Sequence, residues 1–247
     1  MSLAPLSSVV KRFTRLRRFP LLVRRKGVSL LLDPSNWIDN RFAAWVPYEE
    51  AQIARATDLI RREKIDTLID VGANIGIYTV LVGRLPEVRR ILAFEPVRRN
   101  FNQLLGNVFA NRLDSKVNAH RVALGKASQR GNIHIDPRST GVSRLDLADC
   151  GRTRSVFREE EEVEILRFDD VAKLNDYRIF LKIDIEGKAY DALLGMEQLF
   201  RNNYVLLQIE IADSESEAVR DLLMRYGMEF TESIGGDFYF SPRLMQA

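Results

Sequence analysis

Cysteine and long apolar runs are scarce in this 247-residue chain, and each shortage excludes a class of protein. The single cysteine, Cys150, cannot form an internal disulfide or a cysteine-based metal cluster, which fits a reducing compartment. No stretch approaches the roughly 18 to 20 apolar residues that a membrane-spanning helix needs. A cleaved signal peptide is disfavoured because the positive charges follow the first apolar residues. We therefore expect a cytoplasmic protein with one large core.

Acidic residues are absent from the first 30 positions, which contain eight lysines and arginines. Because the whole chain carries a net charge of +3, the other 217 residues carry −5. Apolar residues repeat at a helical spacing within residues 6–27: Val9, Val10, Phe13, Leu16 and Phe19. This pattern predicts an amphipathic helix, ended or kinked by Pro20. The helix either lies on anionic lipid at the inner membrane surface or packs on the body of the protein.

Residues 28–48 contain two prolines and a cluster of aromatic residues: Trp37, Phe42, Trp45 and Tyr48. We expect an irregular segment whose aromatic rings either line a pocket or attach the segment to the core. The predicted domain organisation is therefore a basic N-terminal extension, residues 1–48, followed by a catalytic domain, residues 49–247.

Helical and strand patterns alternate from residue 49 onward. This alternation predicts an α/β fold with a doubly wound, mostly parallel sheet and helices on both faces. The main strands are predicted at 67–71, 90–95, 117–122, 179–185 and 204–211, and the main helices at 49–63, 76–84, 97–110, 188–200 and 214–226. Shorter strands are predicted at 131–135 and 163–168, and a short helix at 169–175. Two β-rich runs, 228–233 and 237–241, predict a C-terminal antiparallel hairpin.

The first main strand runs into a small-residue loop that opens a helix: Asp70-Val-Gly72-Ala-Asn74-Ile-Gly76-Ile-Tyr78-Thr79. Ligands bind at the carboxyl ends of strands in open α/β sheets, and glycine allows the backbone to approach a ligand closely. The glycine spacing differs from the G-x-G-x-x-G dinucleotide fingerprint. Glu95 ends the second strand, where a carboxylate either accepts hydrogen bonds from the ribose hydroxyls of an adenosine ligand or caps the following helix.

The strand predicted at 179–185 carries charges where a central strand is normally apolar on both faces. Lys182, Asp184 and Glu186 alternate along it, so they are predicted to share one face. Each buried ion costs several kcal/mol unless it is paired, so these groups either form a structural ion-pair network or act on a ligand. Glu210, on the neighbouring strand, is predicted to lie at the same edge.

Four motifs in this order resemble the FkbM family of S-adenosylmethionine-dependent methyltransferases: Asp70 to Thr79, Phe94-Glu95-Pro96, Ala123-Leu124-Gly125, and Lys182 to Gly187 followed by Glu210. The resemblance covers about residues 67–240. It implies the class I methyltransferase fold, with a seven-stranded sheet, and methyl transfer to a hydroxyl of a sugar, glycan, glycolipid or natural product. It also implies that S-adenosylmethionine is bound by Asp70, Gly72, Asn74, Gly76, Tyr78, Thr79, Glu95, Ala123 and Asp184.

Methyl transfer to a hydroxyl requires in-line alignment and is assisted by a base. Asp184 and Glu186 are the predicted bases, with Lys182 holding one of them ionised, and His120 is an alternative base or a core residue. A Mg²⁺ ion held by Asp184, Glu186 and Glu210 is a second possibility. We favour a site without metal, because Lys182 partly neutralises these carboxylates.

Three other functions fit part of the sequence: an RNA or protein methyltransferase, an NAD-dependent oxidoreductase, and a non-catalytic cofactor-binding scaffold. Nucleic acid is disfavoured because the body lacks a basic stripe with interleaved aromatic residues. The Asn/Asp-Pro-Pro-aromatic sequence of many amino methyltransferases is also absent after Asp184. The glycine spacing and the terminal hairpin disfavour the oxidoreductase. The expected acceptor is therefore a small molecule or a glycan.

Overall fold

Strands and helices alternate through residues 20–147 and 154–243, which are the residues that the computed structural model describes. In chain order the elements are β1 (Leu21–Arg25), β2 (Val28–Leu32), α1 (Trp37–Ala43), α2 (Glu50–Arg62), β3 (Thr67–Val71), α3 (Ile77–Leu81), β4 (Arg90–Phe94), α4 (Arg98–Ala110), β5 (Val117–His120), β6 (Ala123–Leu124), β7 (Gln129–Ile135), β8 (Glu159–Leu166), α5 (Phe168–Val171), β9 (Arg178–Ile183), α6 (Ala189–Leu194), α7 (Glu197–Asn202), β10 (Tyr204–Glu210), α8 (Ser216–Arg225), β11 (Met228–Ile234) and β12 (Asp237–Pro242).

The central sheet has seven strands in the order β11-β12-β10-β9-β3-β4-β5. Strands β10, β9, β3, β4 and β5 are parallel, whereas β12 is antiparallel to both β10 and β11. Every residue of β3 is buried, as expected for a central strand that is covered on both faces. The predicted α/β architecture and C-terminal hairpin are therefore confirmed.

The N-terminal residues differ from the prediction. Instead of a helix that is ended or kinked at Pro20 and an irregular segment at 28–48, β1 and β2 form an antiparallel hairpin around Lys26-Gly27, and α1 follows. In β2, residues 28, 30 and 32 are buried and the two between them are half-buried, which is the period of a strand with one face on the core. The remainder of the predicted helix, residues 6–19, lies outside the described residues.

The N-terminal hairpin is built into the core of the protein. Two asparagine side chains, one in α4 and one directly after it, accept hydrogen bonds from the free edge of β2: Asn107 Oδ1 from Leu31 N at 2.6 Å, and Asn111 Oδ1 from Ser29 N at 2.9 Å. The inner face of β2 packs in one apolar cluster with residues of the loop after β3 and of α4. This packing carries residues 37–49 to the carboxyl edge of the sheet. The domain boundary at residue 48 stays a prediction.

The long polar stretch after β5 forms a second, three-stranded sheet in the order β6-β8-β7. Strands β7 and β8 are antiparallel and longer than predicted, and the acidic run 159–162 belongs to β8. The predicted helix 188–200 is divided into α6 and α7 around Gly195-Met196. Cys150 lies outside the described residues. Within the described ranges, no helix combines the length and apolarity required to cross a membrane.

Candidate functional site

A cavity of about 210 Å³ opens at the carboxyl edge of β3, β4, β9 and β10. Four parts of the chain line it: the loop after β3, residues 94–97 with 122–124, the segment 133–145 next to β7, and the residues that follow β9. The N-terminal part closes the remaining side with Trp37, Ile38, Tyr48 and Glu49. Of the aromatic cluster, Trp37 and Tyr48 therefore face the cavity, Phe42 is in the core, and Trp45 is exposed.

Asp70, at the end of β3, presents one oxygen without a partner. Its Oδ2 accepts hydrogen bonds from the Thr79 amide at 2.9 Å and the Thr79 hydroxyl at 2.6 Å. Its Oδ1 is buried and has no hydrogen-bond partner, although Asp70 lines the cavity and is only 1% exposed. Burial raises the pKa of Asp70 against the opposing effect of Lys182, its register neighbour on β9. A cationic group or a hydrogen-bond donor of a ligand would supply the missing partner of Oδ1.

Gly72 brings the loop after β3 against the end of β9. Its φ is +80°, and a Cβ atom built there would overlap the Asp184 carbonyl oxygen and lie 2.9 Å from the Asp184 carbonyl carbon. The close approach that this glycine permits is therefore to the protein backbone, and it fixes Asp184 relative to Asp70. Gly76 and Thr79 are not among the residues that line the cavity, whereas Gly72, Asn74, Tyr78 and Ala123 are.

Glu95 lines the cavity and also caps α4. Its Oε1 accepts a hydrogen bond from Val97 N at 2.9 Å, and its Oε2 accepts one from Asn74 N at 2.8 Å. Burial outweighs these bonds and raises the pKa of Glu95 to about 7. Oε1 also accepts a hydrogen bond from Asn100 Nδ2 at 3.4 Å, whereas Oε2 has one donor and, with two lone pairs, retains capacity for another. The capping role and a ligand role are therefore compatible.

Lys182 is a buried cation held by carboxylates. Its Nζ lies 2.8 Å from Asp184 Oδ2 and 4.7 Å from the centre of the Tyr78 ring. Burial alone would lower the pKa of Lys182, but Asp184, Glu49 and Asp70 together raise it well above its ordinary value. The side chain thus stays charged, and it holds the Asp184 carboxylate in a fixed orientation.

Asp184 and Glu210 form a hydrogen-bonded carboxyl pair. Burial would raise the pKa of Asp184, but the Lys182 ammonium outweighs this effect and lowers it. Partial burial and the Asp184 charge raise the pKa of Glu210 to about 8. The Lys182 charge thus favours the ionised form of Asp184, and the Asp184 charge favours the protonated form of Glu210.

Glu186 separates from Lys182 and Asp184. Strand β9 ends at Ile183, two residues earlier than predicted, so the alternation of faces stops before residue 186. The Glu186 carboxylate instead pairs with the Arg144 guanidinium, and each side chain is about one-fifth exposed. All three residues predicted to be catalytic line the cavity, but only Lys182 and Asp184 are in contact there.

His120 and the metal alternative gain no support from the geometry. The His120 ring stacks on Phe94 with 5.0 Å between centroids and is not among the cavity-lining residues. Of the three carboxylates predicted to hold Mg²⁺, Asp184 and Glu210 bind each other, and Glu186 is paired with Arg144. Across residues 20–147 and 154–243, no group of three His, Cys, Asp or Glu side chains is arranged to hold a metal ion.

Two cavity residues, Tyr48 and Glu49, were not predicted as site residues. They are hydrogen-bonded to each other through their side chains, and they face Lys182 and Asp184 across the cavity. Asp237, at the start of β12, was missed as well, and it accepts a hydrogen bond from Gln208 at 2.8 Å. These residues lie more than 50 positions from Lys182, and no motif surrounds them. The one available signal was Tyr48 in the aromatic cluster.

Comparison with known proteins points to one family. The profile of the methyltransferase FkbM domain matches residues 70–230. Methyltransferase 1 of Beauveria bassiana is 28% identical over an alignment of 169 positions that covers 61% of this chain and 66% of that protein. The antimetabolite synthetase AmbE of Pseudomonas aeruginosa is 24% identical over an alignment of 204 positions that covers 66% of this chain but 9% of AmbE. The matches thus span less than two thirds of these relatives.

Two solved structures have the same fold. The methyltransferase FkbM of Methylobacillus flagellatus superposes with a TM-score of 0.50 at 15% identity, over 96% of this chain and 58% of that one. The methyltransferase domain of METTL16 superposes with a TM-score of 0.50 at 14% identity, over 97% of this chain and 99% of that one. At these identities the likeness concerns the fold alone.

Proposed function

Because the chain belongs to the methyltransferase FkbM domain family, we propose that it transfers the methyl group of S-adenosylmethionine to a hydroxyl of a sugar, glycan, glycolipid or natural-product acceptor. The observation that carries the proposal is the meeting of Asp70, Glu95 and Asp184 in one cavity at the carboxyl edge of the sheet. This edge is where open α/β sheets bind their ligands.

The residues around the cavity fit this donor. The unpartnered Asp70 Oδ1 suits the ammonium group of a methionine moiety. The free lone pairs of Glu95 suit ribose hydroxyls, and apolar residues beside it, Phe94, Val97 and Ala123, suit a purine ring. S-adenosylmethionine supplies an electrophilic methyl group on a sulfonium, so the protein has to align an acceptor and receive its proton.

Asp184 is the base in this proposal. Its Oδ2 is bonded to Lys182, and its side chain retains 27% exposure, so a carboxylate edge remains for an acceptor hydroxyl. Lys182 keeps Asp184 ionised near neutral pH, so this carboxylate can accept the hydroxyl proton as the acceptor oxygen takes the methyl group. Lys182 orients the Asp184 carboxylate, and Glu186 holds the Arg144 guanidinium in place.

The test uses labelled S-adenosylmethionine, a glycan or lipid extract, and identification of the labelled product by mass spectrometry. Relative to wild type, Asp184→Asn is expected to lower the rate about 10²- to 10⁴-fold, the usual range for loss of a general base. Asp221→Asn, at an exposed position of α8, is the matched control and should leave the rate unchanged. Unchanged transfer by Asp184→Asn would show that the base is assigned incorrectly.

Two further additions separate the alternative functions. RNA and an unrelated protein replace the extract as acceptors in parallel reactions, and labelling of either would redirect the proposal to that acceptor class. Calorimetry compares S-adenosylhomocysteine with NAD, and tight binding of NAD alone would refute methyl transfer. If S-adenosylmethionine binds but no molecule in any extract becomes labelled, that result would favour the non-catalytic scaffold.

The proposed partner of the N-terminal region is an anionic membrane at its cytoplasmic face. Residues 6–27 contain the basic cluster, and the first described strand continues it with an exposed Arg24. Leu22, on the outer face of β1, is 68% exposed. Basic and apolar side chains side by side are what binding to anionic lipid requires. Residues 21–27 belong to the folded hairpin, so this part of the contact would involve a strand. Residues 6–19, which contain most of the basic cluster, lie outside the described residues.

A further inference from the structure

We propose that Glu49 makes the cavity discriminate between donor and product, favouring the cationic S-adenosylmethionine over the neutral thioether S-adenosylhomocysteine. The inference rests on the proposed donor. It concerns a residue outside the segment 70–230 that matches the family profile. Methyl transfer removes the positive charge of the sulfonium, so a fixed negative charge near the sulfur attracts the donor there and finds no such charge in the product.

The side chain of Glu49 lies at the cavity and does not cap the helix that it precedes, α2. Its backbone has φ +46° and ψ +33°, a left-handed conformation that is uncommon for a residue other than glycine, and its side chain makes no capping hydrogen bond to α2. The carboxylate instead lines the cavity and hydrogen-bonds to Tyr48. Such backbone outliers concentrate at functional sites.

Negative charge exceeds positive charge around Glu49. The charged and titratable groups that interact with it are Tyr48 beside it, Tyr78 on α3, Lys182 and Asp184 at β9, and Asp237 on β12. Lys182 is the one cation in this set. It is in contact with Asp184, and its single charge cannot balance Glu49, Asp184 and Asp237 together.

A second observation shows that this surplus faces a ligand. Asp70, 1% exposed, lines the same cavity as Glu49, and its buried Oδ1 has no hydrogen-bond partner. A buried carboxylate oxygen without a donor is costly unless a ligand supplies one. At an effective dielectric of about 20, two unit charges within roughly 10 Å change a binding constant on the order of tenfold.

The test measures dissociation constants of S-adenosylmethionine and S-adenosylhomocysteine for wild type, Glu49→Gln and Glu50→Gln. Glu50 is the matched control, because it is adjacent but exposed and paired with Lys26 at 2.8 Å. In Glu49→Gln, donor binding should weaken about tenfold while product binding changes less than twofold. Both ligands should bind Glu50→Gln as they bind wild type.

A merely structural role would weaken both ligands equally, and that result would overturn the inference. A second measurement uses wild type alone. Its preference for donor over product should decline as pH falls, because the cavity carboxylates become protonated. A preference that stays constant with pH would count against the inference. Failure of wild type to bind either ligand would refute the proposed function and the inference together, whereas binding with an unchanged ratio refutes the inference alone.

Discussion

Replacement of Gly72 by alanine tests how tightly the loop after β3 is packed on β9. Gly227→Ala is the matched control, because the two glycines have nearly the same φ, +80° and +76°. They differ in space: a Cβ at position 72 overlaps the Asp184 carbonyl oxygen, whereas nothing lies within 4 Å of a Cβ at position 227. The pair thus separates steric overlap from backbone strain.

The expected magnitudes follow from these two contributions. The left-handed conformation costs alanine about 1–2 kcal/mol at either position. Overlap in a packed interior adds about 1–3 kcal/mol, because the backbone of residues 184 and 185 has to move. Gly227→Ala should therefore lower the free energy of unfolding by about 1–2 kcal/mol, and Gly72→Ala by about 2–5 kcal/mol.

Urea denaturation measures the difference, provided that both variants keep the wild-type dependence of stability on urea concentration. Gly72→Ala should also weaken binding of S-adenosylmethionine, because Asp184 can no longer hold its position beside Lys182. Equal losses of stability in the two variants would refute the packing argument.

Two further predictions concern the N-terminal region. Asp39 is fully buried, and burial raises its pKa from 3.8 to about 6, so the folded state holds a proton more tightly than the unfolded state between these values. The free energy of unfolding of wild type should therefore fall, relative to that of Asp39→Asn, by at most about 3 kcal/mol as pH rises from about 4 to 7. Melting curves measure this difference, and a difference that does not change with pH would contradict the prediction. Deletion of residues 1–19 should weaken binding to anionic phospholipid vesicles in sedimentation assays while cofactor binding persists; equal sedimentation of both proteins would remove the membrane proposal.

The central sheet could be predicted because its strands have an unambiguous sequence pattern. Residues 67–71 combine apolar and β-branched residues with Asp70 and end immediately before a glycine loop, and the structure has a strand with these same bounds. The N-terminal hairpin was missed because residues 6–19 suggested a helical period that was extended past Pro20. The sequence Arg25-Lys26-Gly27-Val28, a glycine-containing turn between apolar runs, was the signal for a hairpin.

The cavity was predicted in part for a related reason. Asp70, Lys182 and Asp184 sit at the ends of strands whose order follows from the fold, so their proximity could be inferred. Glu49 reaches the same cavity only because β2 and α1 pack against α4, and nothing in the sequence around Glu49 indicates that packing. Glu186 was misplaced because the strand was extended two residues beyond its end at Ile183.

The position of β12 has a consequence for how the chain matures. This strand is the last of the described elements, yet it lies inside the sheet, between β10 and β11. During synthesis, β10 therefore waits with an open edge until residues 237–242 leave the ribosome, and an open edge invites pairing with other chains. The long sequence separation between β3 and β9 delays assembly further. The yield of folded protein should thus depend on whether nascent chains that still lack β12 are kept from pairing through the open edge of β10.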